Sequence, residues 1–305
     1  MKLVTVATHS ERYFPYLKLS AEKYGHELVV LGWGEKWKGF AWRFELMKDY
    51  LKRIDADEII CFVDGYDVII LQDPHTIEAK FRENVEGDMS KIFISREQYS
   101  HNGIENSFLS YIQSFVFTKC ENEYINAGTY MGTAETLLDT FQKICDEFKC
   151  SPEKDDQRMI QDYCSKYSSK FVLDMECEVF LVINSTISAI KPGEYDISFK
   201  GGKLAYKNDV FPALFHGNGY TDFDYIIAKL GYDTTIFKAD GESKSQYVWK
   251  SISHFFPIMF ERSWIIVLLI VVALLYKLRG PTQRLIVPIF GKGFFKRGTS
   301  RYERK

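Results

Sequence analysis

A chain of 305 residues with 46% hydrophobic and 16% aromatic side chains has enough apolar surface to bury a sizeable core, which excludes wholesale disorder. The formal net charge of −2 hides an asymmetry: residues 277–305 hold nine Lys or Arg against the single acid Glu303, leaving 30 basic and 40 acidic side chains over residues 1–276. An acidic body argues against a nucleic-acid-binding surface, and no nucleic acid is expected as a partner.

LVTVAT (residues 3–8) predicts a strand, HSERYFPYLKLSAEKYG an amphipathic helix ending at Gly25, and ELVVLG a second strand. WRFELMKDYLKRI repeats the helical period, and EIICFVDGYDVII predicts one long apolar strand. This alternation predicts a parallel βαβ order and so an α/β fold with an open sheet. KIFIS, from residue 91, predicts another strand, and YINAGTYMG runs into TAETLLDTFQKICDEF as a helix. SPEKDDQRMIQDYC predicts a helix with Ser151 as N-cap, Pro152 at the first helical position and carboxylates in the first turn. VLDMECEVF, ISFKGG with KLAYK, and FPALFHGNG predict strands or hairpin arms, and Phe223 to Leu230 a last helix. The polar stretch DGESKSQ (240–246) is a linker that ends the globular domain, placed at residues 1–248.

The six cysteines show no CxxC pair and no His at metal spacing, so no zinc site and reduced thiols are expected. MKLVTVATHS has one charge and no long apolar core, unlike a signal peptide. The membrane signal is at the other end. WIIVLLIVVALLY (Trp264 to Tyr276) is apolar throughout, and with the helix extended back to Pro257 it reaches the roughly 30 Å of a hydrocarbon core. A single-pass anchor at residues 257–278 and a basic tail at 279–305 are therefore expected, with an anchor lying in the membrane plane as the alternative. The tail argues for a lumenal body by the positive-inside rule, whereas the N-terminus offers no signal to carry the body across, so the side is left open between lumenal and cytoplasmic.

CFVDGYDVII raises the first chemical question, because two acids interrupt a buried-looking strand. The C-terminal end of a parallel strand faces the crevice where open α/β sheets bind ligands. Asp64 stands at that end, Gly65 permits a turn, and Asp67 can swing back toward it. Two carboxylates that close need a cation or a proton, and oxygen ligands suit Mg²⁺ or Mn²⁺ carrying a diphosphate. A strand end with a capped turn explains the same two acids without a metal. In FPALFHGNGY the glycines Gly217 and Gly219 let the backbone approach a phosphate, and His216 can take a position on the same metal. His9, His26, His75, His101 and His254 show no partner pattern, Cys177 suits a buried small hydrophobe, and the aromatics of 211–237 suit a core.

TVAT, GWGEKW, FVDGYDV, INAGTYMG, DDQ, LDMECEVF and LFHGNG occur, over residues 3 to 225, in the order found in the glycosyltransferase domain of procollagen lysyl hydroxylases and their viral and algal relatives, which this chain resembles. The resemblance implies a GT-A-type, Rossmann-like open sheet that uses a UDP-sugar and Mn²⁺ (or Mg²⁺). It implies metal positions at Asp64, Asp67 and His216. Nucleotide contacts are implied at Thr8, Trp37, Tyr66 and Gly219, and carboxylates facing sugar and acceptor at Asp155 and Asp156. The hydroxylase domain of those enzymes has no room here. Two departures stand out. The lysine that follows HGNG in the family is replaced by Tyr220, Thr221 and Asp222, leaving Arg43 or another cation to meet the diphosphate, and INAG alters the turn through which Asn126 would touch sugar hydroxyls.

The reading that follows is a metal-dependent transferase of glucose or galactose from a UDP-sugar to a hydroxyl, hydroxylysine or galactosyl-hydroxylysine of a collagen-like protein or a glycan among them. Asp156 would accept the acceptor's proton or steady the reacting centre. The alternatives are a non-catalytic nucleotide-sugar-binding membrane protein and a metal-dependent phosphoesterase or nucleotidyltransferase. Asn184 in NST is a glycosylation acceptor only for a lumenal body.

Overall fold

The computed structural model describes residues 1–99, 118–184, 189–207, 209–219 and 221–236, together with Leu268, Val271 and Val272. Contacts divide the chain into units Met1–Ser253 and His254–Lys305.

In chain order the elements are β1 (Lys2–Val6), α1 (Phe14–Lys23), β2 (Leu28–Leu31), α2 (Trp42–Leu51), β3 (Ile59–Asp64), β4 (Val68–Ile70), α3 (Pro74–Asn84), β5 (Ile92–Arg96) and β6 (Gln98–Tyr99). They continue with β7 (Ile125–Thr133), α4 (Ala134–Phe148), α5 (Asp156–Lys166), β8 (Phe171–Leu173), β9 (Phe180–Asn184), the hairpin β10 (Ile197–Lys200) and β11 (Lys203–Tyr206), β12 (Leu214–Asn218) and α6 (Asp224–Lys229).

A six-stranded sheet in the order β2-β1-β3-β7-β5-β8 forms the centre. Its first half is parallel, as the βαβ alternation predicts. The sheet is nevertheless mixed, because β7 inserts antiparallel between β3 and β5. Alternate residues of β3 go to opposite cores: Ile60 and Phe62 pack with Phe44, Phe141 and Ile160, while Ile59, Cys61 and Val63 pack with Phe14, Phe81 and Phe180. Burial on both faces is why the strand reads as a continuous apolar run. Asp64 continues the Ile60–Phe62 face, which turns its carboxylate toward α2.

EIICFVDGYDVII is not one strand. β3 stops at Asp64, and the chain crosses into a second, four-stranded sheet of order β4-β12-β9-β6. Gly65 makes the crossing over the end of β1, where an added Cβ would lie 3.0 Å from the Val6 carbonyl. β12 pairs antiparallel with β4 and parallel with β9, so His216 lies opposite Val68. A third cluster beneath this sheet contains Tyr16, Phe215, Phe223 and Leu204, the core role expected for the late aromatics.

Two further expectations are corrected. The N-cap of α5 is Asp155, whose carboxylate accepts from Arg158 N–H, and the helix opens at Asp156. Ser151 instead donates to Glu153 Oε1 at 2.5 Å. The thiols are not all reduced, since Cys120 pairs with Cys164 and Cys145 with Cys150. Lys149, left-handed at φ 56° after α4, turns the chain back so that Cys150 meets Cys145. Cys164 lies on the buried face of α5 against Cys120, while Cys61 and Cys177 are buried outside both disulfides. The linker 240–246, the tail 279–305 and most of 257–278 lie outside the described residues. Among the described residues no helix is long and apolar enough to cross a membrane.

Candidate active site

Three ligand-type side chains converge where the two sheets meet. Asp64 comes from the end of β3, Asp67 from the entry to β4, and His216 from β12. One donor atom from each lies within 4.8 Å of the others. His216 Nε2 is 3.2 Å from Asp67 Oδ1 and 3.7 Å from Asp64 Oδ2. Both His216 ring nitrogens and Asp67 Oδ1 are buried without hydrogen-bond partners, an arrangement that costs free energy unless something else satisfies those atoms. Burial alone would lower the His216 ring, but Asp67 and Asp64 outweigh it and hold the ring above its ordinary value.

Gly128, on β7, leaves room for this convergence. A Cβ there would come within 2.4 Å of both Asp64 Oδ2 and His216 Cε1. Its N–H donates to Asn126 Oδ1 at 2.8 Å, and Asn126 Nδ2 donates to Glu97 Oε1 at 2.8 Å. Glu97, just beyond β5, also accepts from Asn218 at 2.7 Å and Gln157 at 3.4 Å through the same oxygen. Its Oε2 is buried and unpartnered. Burial holds the Glu97 carboxyl above its ordinary range, against the pull of the Asn126 and Asn218 amides and of His216.

On the other side of Asp64, Arg43 in the first turn of α2 joins two acids. Its Nη1 donates to Asp64 Oδ1, and its Nε donates to Asp156 Oδ2 at 2.6 Å. Burial works against the guanidinium charge, and Asp156 and Asp64 reverse that, raising its pKa. Asp156 itself is pushed up to about 6 by burial, against the pull of Arg43.

Of the expected nucleotide contacts, Thr8 and Tyr66 meet just beyond β1. Thr8 N–H donates to Tyr66 Oη at 2.9 Å, and Gly34 N–H donates to the Thr8 carbonyl at 2.8 Å, tying the GWGEKW loop to this edge. Trp37 is 39% exposed and meets Phe40 and Trp42 edge to face. Gly219, at φ 72°, accepts from Arg12 Nη2 at 2.7 Å through its carbonyl.

Two expected site residues are otherwise engaged. Asp155 caps α5. Gly217 N–H donates to the Asp67 carbonyl at 2.8 Å, and its missing side chain admits the Phe223 ring, whose Cδ1 a Cβ would approach to 2.4 Å. Asp174 of LDMECEVF accepts from Glu178, Val179 and Phe180 N–H, which makes that motif a loop staple before β9. Glu97, Gly128, Gln157 and Asn218 are absent from the expected set. Glu97 carries the signal that marked Asp64, an acid just past the apolar run of a strand.

The PLOD GT domain family model matches residues 1–232. The chain belongs to this family. Among curated proteins, the chain is similar to procollagen-lysine,2-oxoglutarate 5-dioxygenase 1 of Bos taurus, 25% identical over 236 residues. It is similar also to the multifunctional procollagen lysine hydroxylase and glycosyltransferase LH3 of Homo sapiens, 26% identical over 239 residues. Each alignment covers 72% of this chain and 30% of the relative, so the chain spans less than a third of their length. Among solved structures, the galactosyltransferase LgtC with donor and acceptor sugar analogues overlaps at a TM-score of 0.44 and 12% identity, over 86% of this chain and 96% of that one. The assignment to the PLOD GT family rests on the sequence match.

Proposed function

We propose that this GT-A-type domain transfers glucose or galactose from a UDP-sugar to an acceptor hydroxyl, with hydroxylysine or galactosyl-hydroxylysine of a collagen-like chain as the leading acceptors and a glycan as the next. The observation that carries the reading is the convergence of Asp64, Asp67 and His216 around buried, unpartnered donor atoms in a chain of the PLOD GT family. Two carboxylates and an imidazole fit a divalent cation with oxygen and nitrogen preference, Mn²⁺ or Mg²⁺. Bound there, such a cation stabilises the charge that builds on a departing diphosphate.

The chain's own residues supply binding and orientation. Thr8, Tyr66 and Trp37 offer a polar edge and aromatic faces for the uridine, and Gly219 keeps the backbone low where the diphosphate lies. Asn126, with Glu97 behind it, presents a fixed polar wall to the sugar. Asp156 holds or takes a proton at its carboxylate as the acceptor hydroxyl attacks, and Asp155 keeps α5 in place by capping it. The two disulfides support a lumenal, oxidising setting, with residues 257–278 as the membrane anchor.

The test is incubation of the full chain with UDP-glucose and UDP-galactose, with and without Mn²⁺ and a galactosyl-hydroxylysine peptide. Cation-dependent UDP release that rises with acceptor supports the reading. UMP release marks a phosphoesterase or nucleotidyltransferase, and a thermal shift with UDP but no turnover marks a binding module.

A further inference from the structure

Arg43 is the cation that the sequence reading offers to the diphosphate, but its donors go to carboxylates. Nε and Nη2 are directed at Asp156 Oδ2, and Nη1 at Asp64 Oδ1. The guanidinium carbon lies 5.7 Å from the Phe40 ring centre and 5.8 Å from that of Phe62. With 9% of the residue exposed, the group is an internal bridge between two carboxylates. Asp64 is divided by it, with Oδ1 held by Arg43 and Oδ2 facing His216.

We propose that Arg43 is a positioning residue: by gripping Asp64 and Asp156 at once it aims Asp64 Oδ2 into the cation site and makes the cation affinity of that site depend on Asp156, one α-helix away. The inference rests on the reading of Asp64, Asp67 and His216 as a cation site. A planar fork can hold two carboxylates in fixed directions, and a lysine ammonium cannot. When Asp156 loses its charge, the guanidinium falls wholly to Asp64 and competes with the cation for that carboxylate. Because Arg43 faces carboxylates and not phosphate, it affects turnover more than donor affinity.

The experiment is a double-mutant cycle on the full chain in detergent, titrating MnCl₂ and following free Mn²⁺ by electron paramagnetic resonance. Asp156→Asn should weaken Mn²⁺ binding about tenfold in the Arg43 background and by much less in the Arg43→Lys background. In parallel, Arg43→Lys should lower kcat for UDP release while KM for the UDP-sugar changes little. An equal effect of Asp156→Asn in both backgrounds means simple long-range charge and overturns the bridge, leaving the cation site standing. If Arg43→Lys fails to fold, Asp156→Asn alone decides: an affinity within twofold of the unaltered chain overturns the proposal. If the unaltered chain binds no Mn²⁺, both this inference and the cation site fall.

Discussion

Asp67 and His216 face each other across the β4–β12 pair. The Gly217 N–H donates to the Asp67 carbonyl at 2.8 Å, which sets His216 Nε2 3.2 Å from Asp67 Oδ1. A sheet ladder, stiff and cooperative, therefore fixes the separation of two groups some 150 residues apart in the chain. Asp67→Ala and His216→Ala should each lower cation-dependent UDP release by about 10²-fold, the scale of losing one preorganised charge-stabilising group. The far-ultraviolet circular dichroism should be unchanged. Wild-type release in both variants would place the chemistry elsewhere.

Gly128 makes a sharper test, since it has no chemistry of its own. Gly128→Ala adds one methyl group where Asp64 Oδ2 and His216 Cε1 are each 2.4 Å from the new atom. The neighbours are a strand-end carboxylate and a fully buried ring, and neither can move far. The variant should lose about 1–3 kcal/mol of stability and bind Mn²⁺ more weakly than Asp156→Asn does. Unaltered Mn²⁺ binding in an isothermal titration would show that the convergence is not the cation site.

What was legible in the sequence was local. Strand and helix periods gave β1, α1, β2 and α2, and the segments ISFKGG and KLAYK, expected as strands or hairpin arms, form the hairpin Ile197–Tyr206. Asp64, Asp67 and His216 were legible because short motifs carry them. The break at Gly65 was not, because both halves of EIICFVDGYDVII are apolar and buried, and no periodicity tells one sheet from another. The antiparallel insertion of β7 and the meeting of Glu97 with Asn126 and Asn218 depend on pairing between distant segments, which a one-dimensional pattern does not contain. Asp155 displaced Ser151 as cap because both are good N-caps and tertiary contacts choose between them: Lys154 is tied to Ala41 N–H through its carbonyl.

The Cys120–Cys164 disulfide joins the approach to β7 to α5, which carries Asp156, across a sequence separation of 44. In the chain-entropy model a loop of that size is worth ~4 kcal/mol. Removing it with Cys120→Ser and Cys164→Ser together should lower the melting temperature by several degrees, and dithiothreitol should do the same to the unaltered chain but not to the double variant at equal extent. Free-thiol counts should rise on reduction under denaturing conditions. Titration of all six cysteines without reductant would show that neither pair forms.

The anchor reading is tested by partition. Full-length chain should stay in the pellet after carbonate extraction, and a chain lacking residues 257–305 should move to the supernatant with its UDP release intact. Protease protection of the body within sealed vesicles would agree with the proposed lumenal setting. Persistent pelleting of the truncated chain would remove residues 257–278 as the anchor.

Asp156 ties stability and turnover to pH in opposite directions. Its folded pKa of about 6 lies above the ordinary 3.8, so between those values the folded chain holds a proton that the unfolded chain has released. Stability from this group is therefore fully present below about pH 4 and declines as pH rises toward 6, by up to about 3 kcal/mol. Glu97 and Asp174, also raised by burial, act in the same sense, so the comparison must be with Asp156→Asn, which keeps them and should flatten only part of the decline in urea titrations from pH 4 to 7. In its proposed role as base the same carboxylate must be ionised, so kcat/KM for UDP release should climb through about pH 6 as stability falls. A flat rate profile from pH 5 to 7 together with the stability decline would leave Asp156 as a buried structural acid and remove it from the chemistry.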